Sequence, residues 1–262
     1  MSFSSASAVI ATGDHYAAEI FPGWDILGNA NGGYLMALGG RAMAAASRPH
    51  PVTLTAHFLS PGKTGPISIH PQTLKAGRSF NTMRATVRGG GKNLIEMLGA
   101  FSELENVDGL VRVDAEPPTL PEPEDCVAVV PQESGFPPPL MGQVDMRLHP
   151  EDANLFQGIP SGQPLVRGWI RLKDDEPIDP FGLMLVADAF PPTVFNADLP
   201  VNWVPTLEMT TQIRGMPEPG WLRCKFSTRF MTGGVLEEDG EIWDSSGRLV
   251  ALSRQLALMP RG

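Results

Sequence analysis

In the stretch FGLMLVADAF, Phe181 to Phe190, a single side chain is polar, the carboxylate of Asp188. A carboxylate on an otherwise apolar, enclosed segment is costly unless it is hydrogen-bonded or its pKa rises. A group held that way is suited to take a proton as a general base. The alternative is that Asp188 sits exposed at the end of its segment beside Pro191 and has no chemical part. Other hydrolytic arrangements are missing from the sequence. There is no GxSxG elbow, and His15, His50, His57, His70 and His149 show no HExxH or other ligand spacing. Cys126 and Cys224 lie far apart without a CxxC, so neither a metal site nor a disulfide framework is expected. Neither a metal nor an organic cofactor is called for. His57, in TAHFL, reads more simply as a hydrogen-bonded strand histidine than as a catalytic group.

A carboxylate at one end of an apolar segment needs elements that enclose it, and the sequence supplies two such segments. The first is NANGGYLMALGGRAM, residues 29 to 43, whose only charge is Arg41 and which opens on Gly32 and Gly33. The second is the Asp188 segment, where Asp179 followed by Pro180 predicts an N-cap with proline at the first helical position. Each helix is followed by a string of strand patterns. After the first come VTLTAHFLSPG, GPISIHPQTLKAGRS, NTMRATVRGGGK and LIEMLGAFSEL; after the second come PTLEMTTQIRG, GWLRCKFSTRFMTGG, EEDGEIWDSSGRL and VALSRQLALMP. A helix apolar on all sides must be wrapped, and a strongly curved antiparallel sheet around one central helix does that. The expectation is therefore an α+β chain of two hotdog units, a double hotdog, with its helices side by side and its sheets edge to edge. A doubly wound parallel sheet would need alternating strands and helices, and only two convincing helices are present. The expected boundaries are an N-terminal unit over 1–114, a proline-rich connection over 115–164 (AEPPTLPEPEDC, SGFPPPLMG) and a C-terminal unit over 165–262.

The strings NANGGYLMALGGRAM with TAHFLSPG, then VADAF, PTLEMTTQIR and SRQLALMP, resemble the thioesterase-like superfamily, specifically the acyl-CoA thioesterase II (TesB-like) double hotdogs. The resemblance covers most of the chain outside the proline-rich middle. It implies that an aspartate at the end of the second helix, a threonine on the next strand and a glutamine on the last strand hold one attacking water: here Asp188, Thr206 and Gln255. It further implies that Gly32 and Gly33, at the N-terminus of the first helix, receive the developing oxyanion on backbone N–H groups, although two glycines opening a helix are equally an ordinary turn. Read from the strand alone, Thr206 shares the face of Glu208, Thr210 and Gln212, opposite Leu207, Met209 and Ile213, which is a solvated face. Gln255 has small neighbours, Ser253 and Ala257, which leave room for a ligand or for close packing. A gapless overlay of Gly33 on Gly182 sets Asp188 opposite Gly39, so the first unit has no matching acid.

The function implied is hydrolysis of a fatty or related acyl-CoA thioester. The alternative is an acyl or acyl-CoA binding module on the same fold that performs no chemistry. If the ligand is a coenzyme A ester, Arg78, Arg84, Arg88 and Lys92 could meet its phosphates, or they are charges on an exposed strand face. The remaining bounds come from composition. The formal charge of −9 over 262 residues argues against a nucleic-acid groove. No apolar run reaches the roughly 20 residues of a membrane span, and the unpaired cysteines suit a reducing cytoplasm. Exposed sheet edges predict a homo-oligomer.

Overall fold

The computed structural model describes residues 1–104, 109–200 and 203–259; residues 105–108, 201–202 and 260–262, which the sequence reading placed in the two units, lie outside the described residues. The first half runs α1 (Phe3–Ala6), β1 (Ile10–Thr12), β2 (His15–Ile20), β3 (Asp25–Ile26), β4 (Asn29–Ala30), α2 (Gly32–Ala45), β5 (His50–Phe58), β6 (Gly65–Ala76), β7 (Asn81–Gly89) and β8 (Lys92–Ser102). The second runs β9 (Val127–Val129), β10 (Val144–Leu148), α3 (Pro150–Ala153), β11 (Leu165–Leu172), α4 (Gly182–Ala187), β12 (Thr206–Ile213), β13 (Leu222–Ser227), β14 (Met231–Thr232), β15 (Val235–Trp243) and β16 (Leu249–Leu258).

One 14-stranded sheet has the order β1-β2-β6-β7-β8-β5-β12-β16-β15-β13-β11-β10-β9, with β14 paired to β15 off this path. Read outward from the centre, the two halves match strand for strand: β5-β8-β7-β6-β2 on one side, β12-β16-β15-β13-β11 on the other. The halves join where β5 pairs antiparallel with β12, His57 opposite Glu208 and Thr53 opposite Gln212. This is the expected double hotdog, one helix held in the hollow of each half.

The helices form for the reasons their sequences suggest. Asn31 caps α2, its Oδ1 accepting from the Tyr34 amide at 2.9 Å. Inside the wrapped sheet Tyr34, Leu35, Met36, Leu38 and Met43 are all buried, each large side chain contributing about 1.5–3 kcal/mol of apolar transfer. Arg41, the one charge of this helix, is neutralised rather than solvated. Its Nη2 donates to Asp179 Oδ2 at 2.7 Å, its Nε to Ser7 Oγ at 2.7 Å, and its guanidinium lies 4.7 Å from the Phe181 ring centre. Asp179 therefore serves both helices. Its other oxygen accepts from the amides of Phe181 and Gly182, at 3.0 and 2.8 Å, so α4 starts at Gly182, two residues later than the Asp-Pro pair predicts.

Residues 115–164 do more than cross between halves. Val144, Met146 and Leu148 alternate inward on β10, which pairs with β11, and β9 adds a further strand beyond it. Proline crowding on either side hides this short alternation in the sequence.

Candidate active site

The C-terminus of α4 meets the N-terminus of α2 at Asp188. This residue is the C-cap of α4, and its Oδ2 accepts from Asn31 Nδ2 at 2.7 Å and from the Gly33 amide at 2.9 Å. Asn31 Nδ2 also donates to the Asp188 backbone carbonyl at 2.8 Å. Burial pushes the Asp188 carboxyl up to about 6, opposed by the Gly33 and Gly32 amides and the Asn31 side chain. The carboxyl is held above the ordinary 3.8 because desolvation outweighs three favourable donors. Asp188 is half-buried and hydrogen-bonded between the two helices, not exposed beside Pro191.

Gly33 has a packing reason to be glycine. A Cβ there would collide with the Met184 carbonyl of α4, so the helices approach through it. Gly32 borders the cavity, and a Cβ on it would lie 2.8 Å from the Phe58 ring and 3.0 Å from Asp188 Oδ2. The Gly33 amide, which the resemblance assigns to a developing oxyanion, donates to Asp188 Oδ2, a carboxylate lying at the positive end of α2.

The cavity has a volume of about 620 Å³. Its polar lining comprises Asn29, Asn31, Ser60, Asp188, Thr206, Glu238 and Gln255, together with Gly32, while Leu35, Phe58, Met141, Phe190 and Trp203 supply apolar walls. The 115–164 stretch contributes Phe136, which contacts Phe156 and Phe195 at ring-centre distances of 5.5 and 5.8 Å. A wall of this site therefore comes from a segment the sequence presented as a mere connection.

Thr206 is on the inner side of the sheet, contrary to strand alternation. The pairing of β12 with β16 sets Thr206 opposite Ala257 but Glu208 opposite Leu256, leaving Leu207 as an extra residue. This bulge reverses the facing of everything before it, so Thr206 joins the side of Gln255 and the buried Ala257. Its hydroxyl donates to Gln255 Oε1 at 3.0 Å, and Gln255 Nε2 donates to Glu238 Oε1 at 2.8 Å. Thr206 and Gln255 are in direct contact, and Asp188 borders the same cavity. Among the described residues no hydrogen bond joins Asp188 to either of them.

Two residues of the site escaped the sequence reading. Asn31 carried a visible signal, an Asn ahead of an apolar helix, but only for its capping oxygen. Glu238 carried one too: on β15 the alternation Leu236, Glu238, Gly240, Ile242 faces inward, which puts a carboxylate in the core. Other candidates lie elsewhere. His57 is exposed on β5, and Arg84 and Arg88 donate to Gln72 and Asn93 near their own strands. His149, Glu151 and Asp152 come together, but they surround a guanidinium: Arg167 Nε meets Asp152 Oδ2 at 2.9 Å and its Nη2 meets Glu151 at 3.2 Å. Among the described residues no helix is long and apolar enough to cross a membrane.

Residues 21–102 match the family described as acyl-CoA thioesterase N-terminal domain, and residues 123–259 match its counterpart, the acyl-CoA thioesterase C-terminal domain. A Thermobifida fusca YX protein assigned as a thioesterase II is 33% identical, with a TM-score of 0.89 over 99% of this chain and 97% of that one. A hotdog-fold protein from Alicyclobacillus acidocaldarius has a TM-score of 0.86 at 23% identity, covering 99% of this chain and 98% of the other. The thioesterase-like protein TwmA of Talaromyces wortmannii is 24% identical over 330 residues, 98% of this chain and 91% of TwmA.

Proposed function

The chain belongs to the acyl-CoA thioesterase family, a family of thioester hydrolases, and from that premise we propose that it hydrolyses a fatty or related acyl-CoA thioester to free acid and coenzyme A. The observation that carries this reading is the convergence on one cavity of a carboxylate that titrates near 6 and a hydrogen-bonded Thr206–Gln255 pair.

In this reading Asp188 is the general base. Its Oδ2 is taken up by Asn31 and Gly33, so Oδ1 is the oxygen that accepts a proton from water. The Thr206 hydroxyl gives its hydrogen to Gln255 and has lone pairs left to accept one from the same water, which fixes the direction of attack. Attack on the thioester carbon yields a tetrahedral oxyanion, and collapse expels the coenzyme A thiolate. As Asp188 gains the proton its charge disappears, the hydrogen bonds of Asn31 and Gly33 to Oδ2 weaken, and the positive end of α2 at Gly32 and Gly33 is left to offset the charge of the oxyanion. Gly32, without a side chain, is where the carbonyl approaches the helix. No step needs a metal or a covalent enzyme intermediate. The protein's assembly as a homo-oligomer and its place in a reducing cytoplasm remain part of the proposal.

The experiment is a panel of acyl-CoA esters of graded chain length, with released thiol followed by a chromogenic disulfide. Turnover of at least one ester supports the proposal. Saturable binding of the esters without thiol release would favour a binding module instead.

A further inference from the structure

Glu238 is a buried carboxylate at the edge of the cavity that the proposed mechanism leaves unused. It is 5% exposed and accepts from Gln255 Nε2 on Oε1 at 2.8 Å and from the Thr193 backbone amide on Oε2 at 2.7 Å. These contacts tie β15 to β16 and to the segment just after Asp188. Thr193 in turn shares a 2.7 Å hydrogen bond with Thr228. The charged neighbour bearing on Glu238 is Asp188; the adjacent acids on its strand, Glu237 and Asp239, engage Arg229 and Arg254. Burial pushes the Glu238 carboxyl up, Asp188 pushes it further, and the Thr193 and Gln255 donors oppose them.

We propose that Glu238 is a positioning residue that sets the polarity of the hydrogen-bond chain through Gln255 to Thr206, and so leaves Thr206 as an acceptor toward the cavity. The inference rests on the hydrolytic reading above for its consequence, though not for its geometry. In its ionised form, which the Thr193 amide and the Gln255 amide nitrogen favour against burial and Asp188, Glu238 only accepts hydrogen bonds. Gln255 must therefore turn its amide nitrogen to Glu238 and its oxygen to Thr206, and the Thr206 hydroxyl must spend its one hydrogen on that oxygen. The water then finds lone pairs at Thr206, not a competing donor. A glutamine at 238 would reverse the chain. Its oxygen would be claimed by the Thr193 amide, a fixed donor, so its nitrogen would face Gln255. Gln255 would flip, and Thr206 would present its hydrogen to the water instead of accepting one.

Glu238→Gln is the test, read in two ways on the full chain. The side-chain amide resonances of Gln255, assigned by their loss in Gln255→Met, are expected to shift as the carboxylate-bound hydrogen disappears. With the best ester of the panel, kcat is expected to fall about tenfold or more while KM stays within about twofold, since a water and not the substrate is misdirected. The pair Glu238→Asp and Glu238→Asn guards against a folding defect: equal in length and differing in acceptor character, they are expected to differ by about tenfold in kcat in favour of Asp. Unchanged Gln255 amide resonances, equal rates for Asp and Asn, or a loss shared by kcat and KM alongside a lowered melting temperature would overturn the proposal. A wild type that releases no thiol overturns the hydrolytic reading alone, and the Gln255 resonances still decide the polarity.

Discussion

Asn31 Nδ2 bonds both the carboxylate Oδ2 and the backbone carbonyl of Asp188, at 2.7 and 2.8 Å, across 157 positions of sequence. The residue that starts the helix of one half thus holds the acid that ends the helix of the other. The candidate site is therefore built from both halves, Asn31 and Gly33 from one and Asp188 from the other. Asn31→Ala should remove both the cap and the clamp. Loss of the cap costs about 0.5–2 kcal/mol, which for a chain of this size lowers the melting temperature by roughly 2–4 °C per kcal/mol. The catalytic rate should fall further than stability does, because Asp188 also loses a donor. Asn31→Ser, which can still cap, should restore the melting temperature and leave the rate low; recovery of both together would show that Asn31 acts only as a cap.

The glycine pair offers a contrast within one turn of helix. Gly33→Ala drives a methyl into the Met184 carbonyl of α4 and should destabilise by about 1–3 kcal/mol or more, the range for overpacking a tight contact. Gly32→Ala meets the movable Phe58 ring and Asp188 Oδ2, so its melting temperature should change less. Its effect should appear in kcat/KM, where the methyl fills the approach to the helix end. Thermal melts and kinetics on the two variants separate packing from substrate access.

Phe136 tests the wall built by residues 115–164. Phe136→Ala should raise KM several-fold for the longer esters of the panel and leave the shortest nearly unaffected, because it removes a ring 5.5 and 5.8 Å from those of Phe156 and Phe195 at the apolar side of the cavity. An equal change for all chain lengths would place Phe136 away from the acyl chain.

Much of this was legible in the sequence, and the exceptions have physical causes. Apolar runs with glycine and proline punctuation mark both helices, and the repeated order of helix and strands implies two wrapped units, since a helix apolar on all sides has to be enclosed. Asp188 stood out because its neighbours are apolar. Thr206 did not, since an alternation rule carries no information about Leu207 becoming a bulge. Glu238 was hidden by its neighbours: in EEDGEIW, an acid-rich string reads as solvated until Leu236 and Ile242 fix which face is inward. The double duty of Asn31 depends on where α4 ends in space, which lies beyond any local pattern.

Stability and activity should respond to pH in opposite directions at Asp188. Its folded-state value, about 6, lies above the ordinary 3.8. The contribution of the protonated form to stability is therefore full below about 3.8 and is lost as pH rises through about 6. Above that range the wild type carries a half-buried, desolvated charge, and Asp188→Asn, whose amide oxygen can still accept from Asn31 and Gly33, should melt no lower than wild type and a few degrees higher near neutrality. A lower melting temperature at neutral pH would show that the charge is stabilising in place.

The most direct test of Asp188 as the base is the pH dependence of kcat/KM for thioester hydrolysis in wild type and in Asp188→Asn. For the wild type the rate should rise with pH through an apparent pKa of about 6, as the carboxylate form appears. In the variant it should lie roughly 10²–10⁴-fold lower and lose that inflection. A variant that keeps the wild-type rate, or one that still titrates with the same inflection, would contradict the assignment of Asp188 as the group that activates water.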